Sequence, residues 1–195
     1  SLEMLGNLLD RAPTLPLLLQ SRDVGKSALL VVTSDKGLAG AFNSNVLRAA
    51  ESWLDSKIES SQGRTLITVG RKAKEYFERR KLGIQRSFLG FGDFFTLAET
   101  LPIAETVIEG YLLGAFDELD AVYTNFRTTL KQETALKKIL PVTRGGIEEA
   151  VKGILPEYGK YSLPGNGQQS TANMYNYEYK FEPSAEEILN TLVPQ

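Results

Sequence analysis

A glycine loop between a buried strand and an amphipathic helix is the feature that most constrains the fold of this chain. Residues 28–33, with the sequence Ala-Leu-Leu-Val-Val-Thr, form a short apolar run rich in β-branched side chains, which predicts a buried strand. The loop of residues 34–43 follows directly, and a helical pattern of apolar residues begins after it. Strand, glycine loop and helix in this order are typical of phosphate sites in α/β proteins. The sequence therefore predicts an α/β fold and raises the question of a nucleotide site.

The residues of this loop do not match a nucleotide-binding motif. Gly37 and Gly40 form one Gly-x-x-Gly pair, whereas a dinucleotide fingerprint requires a third glycine for close approach to a pyrophosphate. A P-loop requires Gly-Lys-Ser or Gly-Lys-Thr at the start of the helix. The triplet at residues 25–27 has that sequence, but it precedes the strand and has Gln20 where the motif needs glycine.

A structural role explains the loop residues better. Gly37 and Gly40 permit a tight turn, and Asn43 or Ser44 is predicted to cap the helix that follows. Asp35, at the carboxyl end of the strand, could hold a metal ion, but the loop contains no second carboxylate. A nucleotide- or metal-dependent enzyme on a Rossmann-like fold, with a carboxylate site at Asp35, stays open as the alternative function.

Composition limits the chemistry that the chain can perform. The 195 residues include no cysteine and no histidine, which excludes disulfide bonds and thiol catalysis and removes the commonest general base. The formal net charge of −2 provides no general attraction to nucleic acid or to a membrane surface. No apolar run approaches the roughly 20 residues of a transmembrane helix. We therefore expect no cofactor, no metal, no nucleic-acid partner and no direct insertion into a membrane.

Three strand–helix units and a hairpin are predicted after the loop. Strands are predicted at residues 65–69, 84–88, 119–126 and 132–142, and helices at residues 44–59, 71–81 and 96–115. The connection between the last two strands is too short for a crossover helix, so this pair should be antiparallel. The predicted fold is an α/β, Rossmann-like three-layer domain whose largely parallel sheet ends in an antiparallel edge hairpin.

One domain with a short leading segment is predicted. Residues 1–26 are predicted to be a stub of an N-terminal helix and a linker, and residues 27–195 a single α/β globular domain. Within it, residues 144–174 are predicted to form a mobile insertion, because residues 164–170 in this stretch are low in apolar content. Tyrosines alternate with polar residues at 175–179 as in an exposed strand, and a short last helix is predicted from Pro183.

The helices leave some alternatives open. Trp53, the one tryptophan of the chain, is predicted to pack in the core, with a half-exposed anchor for a neighbouring subunit as the alternative. The helix at residues 71–81 is basic, but Glu75 and Glu78 interrupt the run, which favours a solvated face over a nucleic-acid site. The third helix is predicted to bury one apolar face, formed by Leu97, Leu101, Ala104, Ile108, Tyr111, Leu112 and Ala115.

Three motifs, in order along the chain, resemble one known family. The sequence of residues 34–45, Ser-Asp-Lys-Gly-Leu-Ala-Gly-Ala-Phe-Asn-Ser-Asn, resembles a loop of the gamma subunits of F-type ATP synthases. Residues 123–126, running on to Ile-Leu-Pro at 139–141, resemble the strands before the family's Leu-Pro pair. Residues 179–183, followed by apolar positions within 188–192, resemble the Glu-Pro turn before the family's last helix. The resemblance covers about residues 27–195.

The resemblance implies a mechanical role. Such a subunit is part of the central rotor stalk, and it couples ion-driven rotation of a membrane c-ring to ATP synthesis or hydrolysis in an alpha/beta hexamer. The chain would then be a non-catalytic globular domain whose long terminal coiled-coil helices are largely missing. Its expected partners are the epsilon, alpha and beta subunits and the c-ring. Its expected place is the periphery of an energy-transducing membrane, on the cytoplasmic face in bacteria or in the equivalent compartment.

Two contact regions are expected from this resemblance. The loop is expected to face the hexamer through Asp35, Lys36, Gly37, Gly40 and Asn43. The epsilon subunit is predicted to dock on the outer end of the first helix after the loop and on the tyrosine-rich strand, with the candidate residues Trp53, Lys57, Ile58, Tyr175 and Tyr177. If Trp53 and Ile58 are core residues instead, substituting Trp53 would unfold the domain and not merely weaken a complex.

Overall fold

Five strands and three α-helices follow one another in the part of the chain that the structure describes. This computed structural model describes residues 16–36, 41–58, 63–91, 96–126, 132–143 and 145–146. The strands are β1 (Lys26–Val32), β2 (Gly63–Val69), β3 (Arg86–Phe88), β4 (Glu118–Phe126) and β5 (Gln132–Leu140). The helices are α1 (Ala41–Ser56), α2 (Arg71–Arg79) and α3 (Leu97–Leu112). All of these elements lie in one unit, Ser21–Pro141.

A second unit includes the described residues at 16–20 and from 142 onward. In it, Leu17–Leu19 form a turn of 3-10 helix, and the Val142 N–H donates a hydrogen bond of 2.8 Å to the Leu18 carbonyl. The boundary between a leading segment and a domain at residue 27 stays a prediction. The predicted helix stub, nearly all of the predicted insertion, the tyrosine-rich strand and the last helix lie outside the described residues.

The strands form one sheet in the order β3-β2-β1-β4-β5. β1 pairs in parallel with both β2 and β4, so Ser27 lies between Arg64 and Glu118. β2 pairs in parallel with β3, whereas β4 pairs antiparallel with β5, with Tyr123 opposite Ala135. The predicted α/β sheet, largely parallel with an antiparallel edge hairpin, is confirmed.

Helices cover both faces of this sheet. Right-handed crossovers place α1 and α2 on one face, and the reversal of strand order after β3 places α3 on the other. Side chains of β1, α1, α2 and β4 form a common core between the sheet and the first two helices, including Leu29, Val31, Trp53, Phe77 and Val122. Each fully buried side chain of this size contributes about 1.5–3 kcal/mol to the free energy of unfolding.

α1 begins earlier than the sequence pattern predicts. It starts at Ala41 instead of Ser44 and ends at Ser56 instead of Glu59. Asn43 therefore lies inside the first turn, and its side-chain oxygen accepts a hydrogen bond of 3.1 Å from the Ser34 N–H. The prediction that Asn43 or Ser44 caps this helix is wrong, because the asparagine side chain reaches back to the end of β1.

α3 begins as predicted but buries less of its apolar face. Thr96 and Glu99 form a capping box, which the Thr-x-x-Glu pattern of the sequence predicts, and in it each side chain bonds the backbone N–H of the other residue. Leu97 is 81% exposed and Leu101 is 49% exposed, whereas Tyr111 is fully buried. The predicted inward face is therefore wrong for the first two turns. Periodicity identifies residues that share a face, but it does not tell how far along the helix that face is covered.

Candidate functional site

The carboxylate of Asp35 is fully engaged by backbone donors at the carboxyl end of β1. Its Oδ1 accepts a hydrogen bond of 2.7 Å from the N–H of Arg71, the first residue of α2. Its Oδ2 accepts one of 2.9 Å from the N–H of Gly90, two residues beyond β3. In the described part of the chain, no cluster of three or more acidic side chains could hold a metal ion. Asp35 thus connects three elements of the fold.

The start of α2 is capped by the end of β1 instead of by its own N-cap residue. That residue is Gly70, which has no side chain to offer. Thr33 Oγ1 accepts from the Ala73 N–H at 2.9 Å, and the Ser34 carbonyl accepts from the Lys72 N–H at 3.3 Å. Together with the Asp35 carboxylate, three successive residues satisfy three successive N–H groups of the first turn.

Glycine is required at position 70 because the backbone of Thr33 lies very close to it. Its φ is 91°, in the left-handed region that favours glycine. A Cβ added at Gly70 would lie 2.1 Å from the Thr33 carbonyl oxygen. The strand end and the helix start are therefore in direct backbone contact, and no side chain fits between them.

The two ends of the glycine loop are fastened together by one side-chain pair. The Asn43 amide Nδ2 donates to Ser34 Oγ at 2.9 Å, and the Ser34 N–H donates to Asn43 Oδ1 at 3.1 Å. Ser34 Oγ in turn donates to the Lys36 carbonyl at 2.6 Å. The Lys36 side chain is exposed. Gly37 and Gly40 lie outside the described residues.

An apolar cavity of about 540 Å³ lies beside this loop. Its walls include Leu30 and Val32 of β1, Ala121 and Tyr123 of β4, and Phe42 of α1. These strands flank the point where strand order reverses, which is where open α/β sheets commonly bind ligands. Among the described residues, no charged side chain lines the cavity. The described lining residues therefore supply no cation for a nucleotide phosphate.

An ionic cluster around the buried carboxylate of Glu118, at the other end of β4, was not predicted. Glu118 is 2% exposed and accepts a hydrogen bond of 2.8 Å from Ser27 Oγ. The ammonium groups of Lys57 and Lys138 also donate to its two carboxylate oxygens. Burial by itself raises the pKa of Glu118, but the hydrogen bonds from Lys138, Lys57 and Ser27 outweigh it and lower the pKa from 4.5 to about 2.

Trp53 lies beside this cluster and is a core residue. It is 4% exposed, and its indole N–H donates a hydrogen bond of 2.7 Å to Asp120 Oδ2. The Lys57 ammonium lies 5.7 Å from the centre of the indole ring. Ile58, in contrast, is 58% exposed. The burial of Trp53 agrees with core packing and not with a half-exposed anchor.

Of the candidate epsilon-docking residues, the structure therefore brings Trp53, Lys57 and Ile58 together at the end of α1, and Tyr175 and Tyr177 lie outside the described residues. One signal in the sequence could have pointed to the cluster: Glu118 and Asp120 are two residues apart, so they share a face once the strand is extended by one residue beyond its predicted start at 119.

The basic residues of α2 largely engage acidic neighbours. Lys72 pairs with Glu75 and Lys74 with Glu78 along the helix, at 3.7 and 3.8 Å. Arg80 pairs with Glu51 of α1 at 2.7 Å and stacks on the Tyr76 ring at 3.6 Å. These contacts support a solvated helix face. None of the described helices is both long enough and apolar enough to cross a bilayer.

The fold and these contacts define the class of protein: it is a Rossmann-like α/β domain in which Asp35 of the glycine loop binds the start of α2 and the end of β3. Sequence comparison then identifies the family. A family model described as ATP synthase matches residues 2–195, and the chain belongs to this family. The resemblance to gamma subunits that the three motifs carry is confirmed.

The relatives found in this comparison are ATP synthase gamma chains. That of Cutibacterium acnes is 36% identical over 183 residues, covering 92% of this chain and 56% of the relative. That of Crocosphaera subtropica is 30% identical over 198 residues, covering 98% of this chain and 63% of the relative. This chain therefore spans somewhat more than half the length of the curated relatives that it matches.

A solved structure shares the fold. It is a cryo-EM structure of the central stalk and c-ring of the mitochondrial ATP synthase of Tetrahymena thermophila. The match has a TM-score of 0.55 and 18% sequence identity, and it covers 98% of this chain and 70% of that chain. At this identity the match supports the fold alone.

Proposed function

We propose that this chain is a non-catalytic globular domain of the rotor stalk of an ATP synthase. In this role it couples ion-driven rotation of the c-ring to ATP synthesis or hydrolysis in the alpha/beta hexamer. The observation that carries the proposal is the state of Asp35, the one acidic residue of the motif loop. Both of its oxygens bind backbone N–H groups of the same chain, so the loop holds the fold together instead of offering a free carboxylate for chemistry.

The proposed partners follow from the relatives, which are named ATP synthase gamma chains. The loop with the exposed Lys36 would face the alpha and beta subunits, and the epsilon subunit would contact the end of α1. The domain would work at the periphery of an energy-transducing membrane, on the cytoplasmic face in a bacterium. It would reach the membrane through the c-ring and not by inserting into the bilayer.

The buried position of Trp53 sharpens the proposed epsilon surface. Because Trp53 bonds Asp120 and Lys57 bonds Glu118, both side chains are held by the domain itself. Ile58 follows them directly and is exposed, so it is the residue of this group that a partner would touch. Trp53 would then support the surface by fixing the end of α1.

The test combines an activity assay with a pull-down. The purified chain is expected to hydrolyse no ATP in the presence of Mg²⁺ and to retain an epsilon subunit. Ile58→Ser should weaken epsilon binding about tenfold while the thermal midpoint stays unchanged. Leu113→Ser is the matched control, because Leu113 is an 84% exposed leucine beyond the end of α3.

Three outcomes would contradict the proposal or one of its parts. ATP turnover that copurifies with the chain and disappears in Asp35→Ala would support the nucleotide-dependent enzyme instead. Equal epsilon binding by the wild type and Ile58→Ser would remove Ile58 from the docking surface, and absence of any epsilon binding would count against the subunit role.

A further inference from the structure

We infer that Asp35 is a positioning residue that passes force from the loop to the body of the domain; this inference rests on the rotor function proposed above. Among the described residues of the loop, its side chain connects directly to two other elements. One oxygen holds the first residue of α2 at 2.7 Å, and the other holds Gly90 beyond β3 at 2.9 Å. A load applied next to Asp35 is therefore carried by α2 and by the end of β3 as well as by β1.

The hydrogen bonds of Ser34, next to Asp35, also connect the loop to other elements of the domain. Lys36, the exposed residue that follows Asp35, has its carbonyl bonded by Ser34 Oγ at 2.6 Å. Ser34 is bonded on two sides by Asn43 of α1. Displacing Lys36 therefore strains contacts to α1, α2, β1 and the end of β3. A loop without these side-chain contacts would yield by rotating its own backbone dihedrals.

The chemistry of the Asp35 contacts suits this task. A carboxylate that accepts from backbone N–H groups makes charge-assisted hydrogen bonds, which are roughly twice as strong as neutral ones. The negative charge also lies at the N-terminus of α2, where the helix dipole favours it. Both donors belong to the main chain, so the contacts hold elements and not flexible side chains.

Thr33→Val provides a matched control for this role. Thr33 Oγ1 accepts from the Ala73 N–H at 2.9 Å and donates to the Val69 carbonyl at 3.3 Å. The substitution removes a cap of the same helix turn and leaves the side chain of Asp35 in place. If a weaker start of α2 were the only cause of a lower pumping ratio, Thr33→Val and Asp35→Ala should lower that ratio alike.

The experiment uses the full gene product that contains this sequence, assembled with its alpha, beta, epsilon and membrane subunits in vesicles. It measures coupling ions (H⁺ or Na⁺) pumped per ATP hydrolysed, together with the thermal midpoint of the purified variant. We expect Asp35→Ala to lower the pumping ratio about threefold. Thr33→Val should lower the thermal midpoint without changing the ratio. Asp35→Asn should fall between the wild type and Asp35→Ala, because its amide retains one acceptor oxygen.

The outcomes separate this inference from the function on which it rests. Assembly of the wild-type gene product without any coupled pumping would overturn the rotor function and the inference together. Coupled wild-type pumping with an unchanged ratio in Asp35→Ala, or with the same loss in Thr33→Val, would overturn the inference alone. If Asp35→Ala does not assemble, the ratio in Asp35→Asn decides: a reduced ratio supports the positioning role, and a wild-type ratio overturns it.

Discussion

Asp35 and Glu118 are both carboxylates fully engaged by hydrogen bonds, but their donors differ in kind. Asp35 is partly exposed and bonds two backbone N–H groups, so it fixes where α2 and the end of β3 lie. Glu118 is buried and bonds the side chains of Ser27, Lys57 and Lys138. The first arrangement orients chain segments, whereas the second neutralises a charge that the fold has removed from water. Substitutions in the two regions should therefore differ in size and in pH dependence.

The largest effect is expected at the junction beside Asp35. Gly70→Ala should lower the free energy of unfolding by about 4 kcal/mol, because it adds backbone strain at a φ of 91° to a clash with the Thr33 carbonyl. Denaturant titration measures the change. Gly83→Ala is the control, since a Cβ there meets nothing within 4 Å. Equal stability of the two variants would show that the strand end and the helix start can separate without cost.

The next effect is expected in the buried cluster. Glu118→Gln keeps the shape of the side chain but removes the charge that two lysines surround, and it should lower the free energy of unfolding by about 3 kcal/mol at pH 7. Glu109→Gln, at an exposed position of α3, is the control and should change it by less than about 0.5 kcal/mol. A loss below about 1 kcal/mol for Glu118→Gln would mean that water screens the cluster.

Acid should remove this contribution in a defined range. The folded pKa of Glu118 is about 2 and its ordinary value is 4.5, so its contribution is present above pH 4.5 and is lost as the pH falls toward 2. The difference between the two values corresponds to about 3 kcal/mol. The stability gap between the wild type and Glu118→Gln should therefore shrink between pH 5 and pH 2. A gap that stays constant over that range would contradict the assigned protonation state.

The smallest effect is expected at the Asn43–Ser34 contact, which joins the two ends of the glycine loop. Asn43→Ala removes two hydrogen bonds to Ser34 at a partly exposed site and should cost about 1 kcal/mol. Asn45→Ala is the control. Asn45 lies on the exposed face of α1, and among the described residues its side chain bonds only Arg48. Thermal unfolding of both variants makes the comparison. Identical midpoints would show that Asn43 contributes no more than a solvent-facing asparagine.

Much of the fold was predictable because the strands are short and strongly apolar. The runs at residues 28–33 and 65–69 alternate with amphipathic helices, and this pattern identified parallel pairing without any knowledge of tertiary contacts. The capping box at Thr96 was predictable for a similar reason, since both of its partners lie within one helical turn.

The sites were less predictable because their partners are distant in sequence. The motif identified Asp35, but nothing local indicates that its oxygens meet Arg71 and Gly90. Asn43 has the side chain of a helix cap, yet the tertiary contact with Ser34 determines where it points. Glu118 was missed because the predicted strand began one residue later and because a charged residue is normally exposed to solvent. Its pairing depends on Lys57, just beyond the end of α1, and on Lys138 of β5.

Because β1 pairs with both β2 and β4, its two edges become paired at different times during synthesis on the ribosome. Ser27 is separated from Glu118 by 91 residues, and Lys138 follows Glu118 by 20 more. A nascent chain can pair β1 with β2 while β4 has not yet been made, which leaves one edge of β1 open for several seconds at ordinary elongation rates. When Glu118 emerges from the ribosome, Ser27 and Lys57 have already emerged, but Lys138 follows 20 residues behind. Translation must therefore pass residue 138 before the charge on Glu118 gains its last partner.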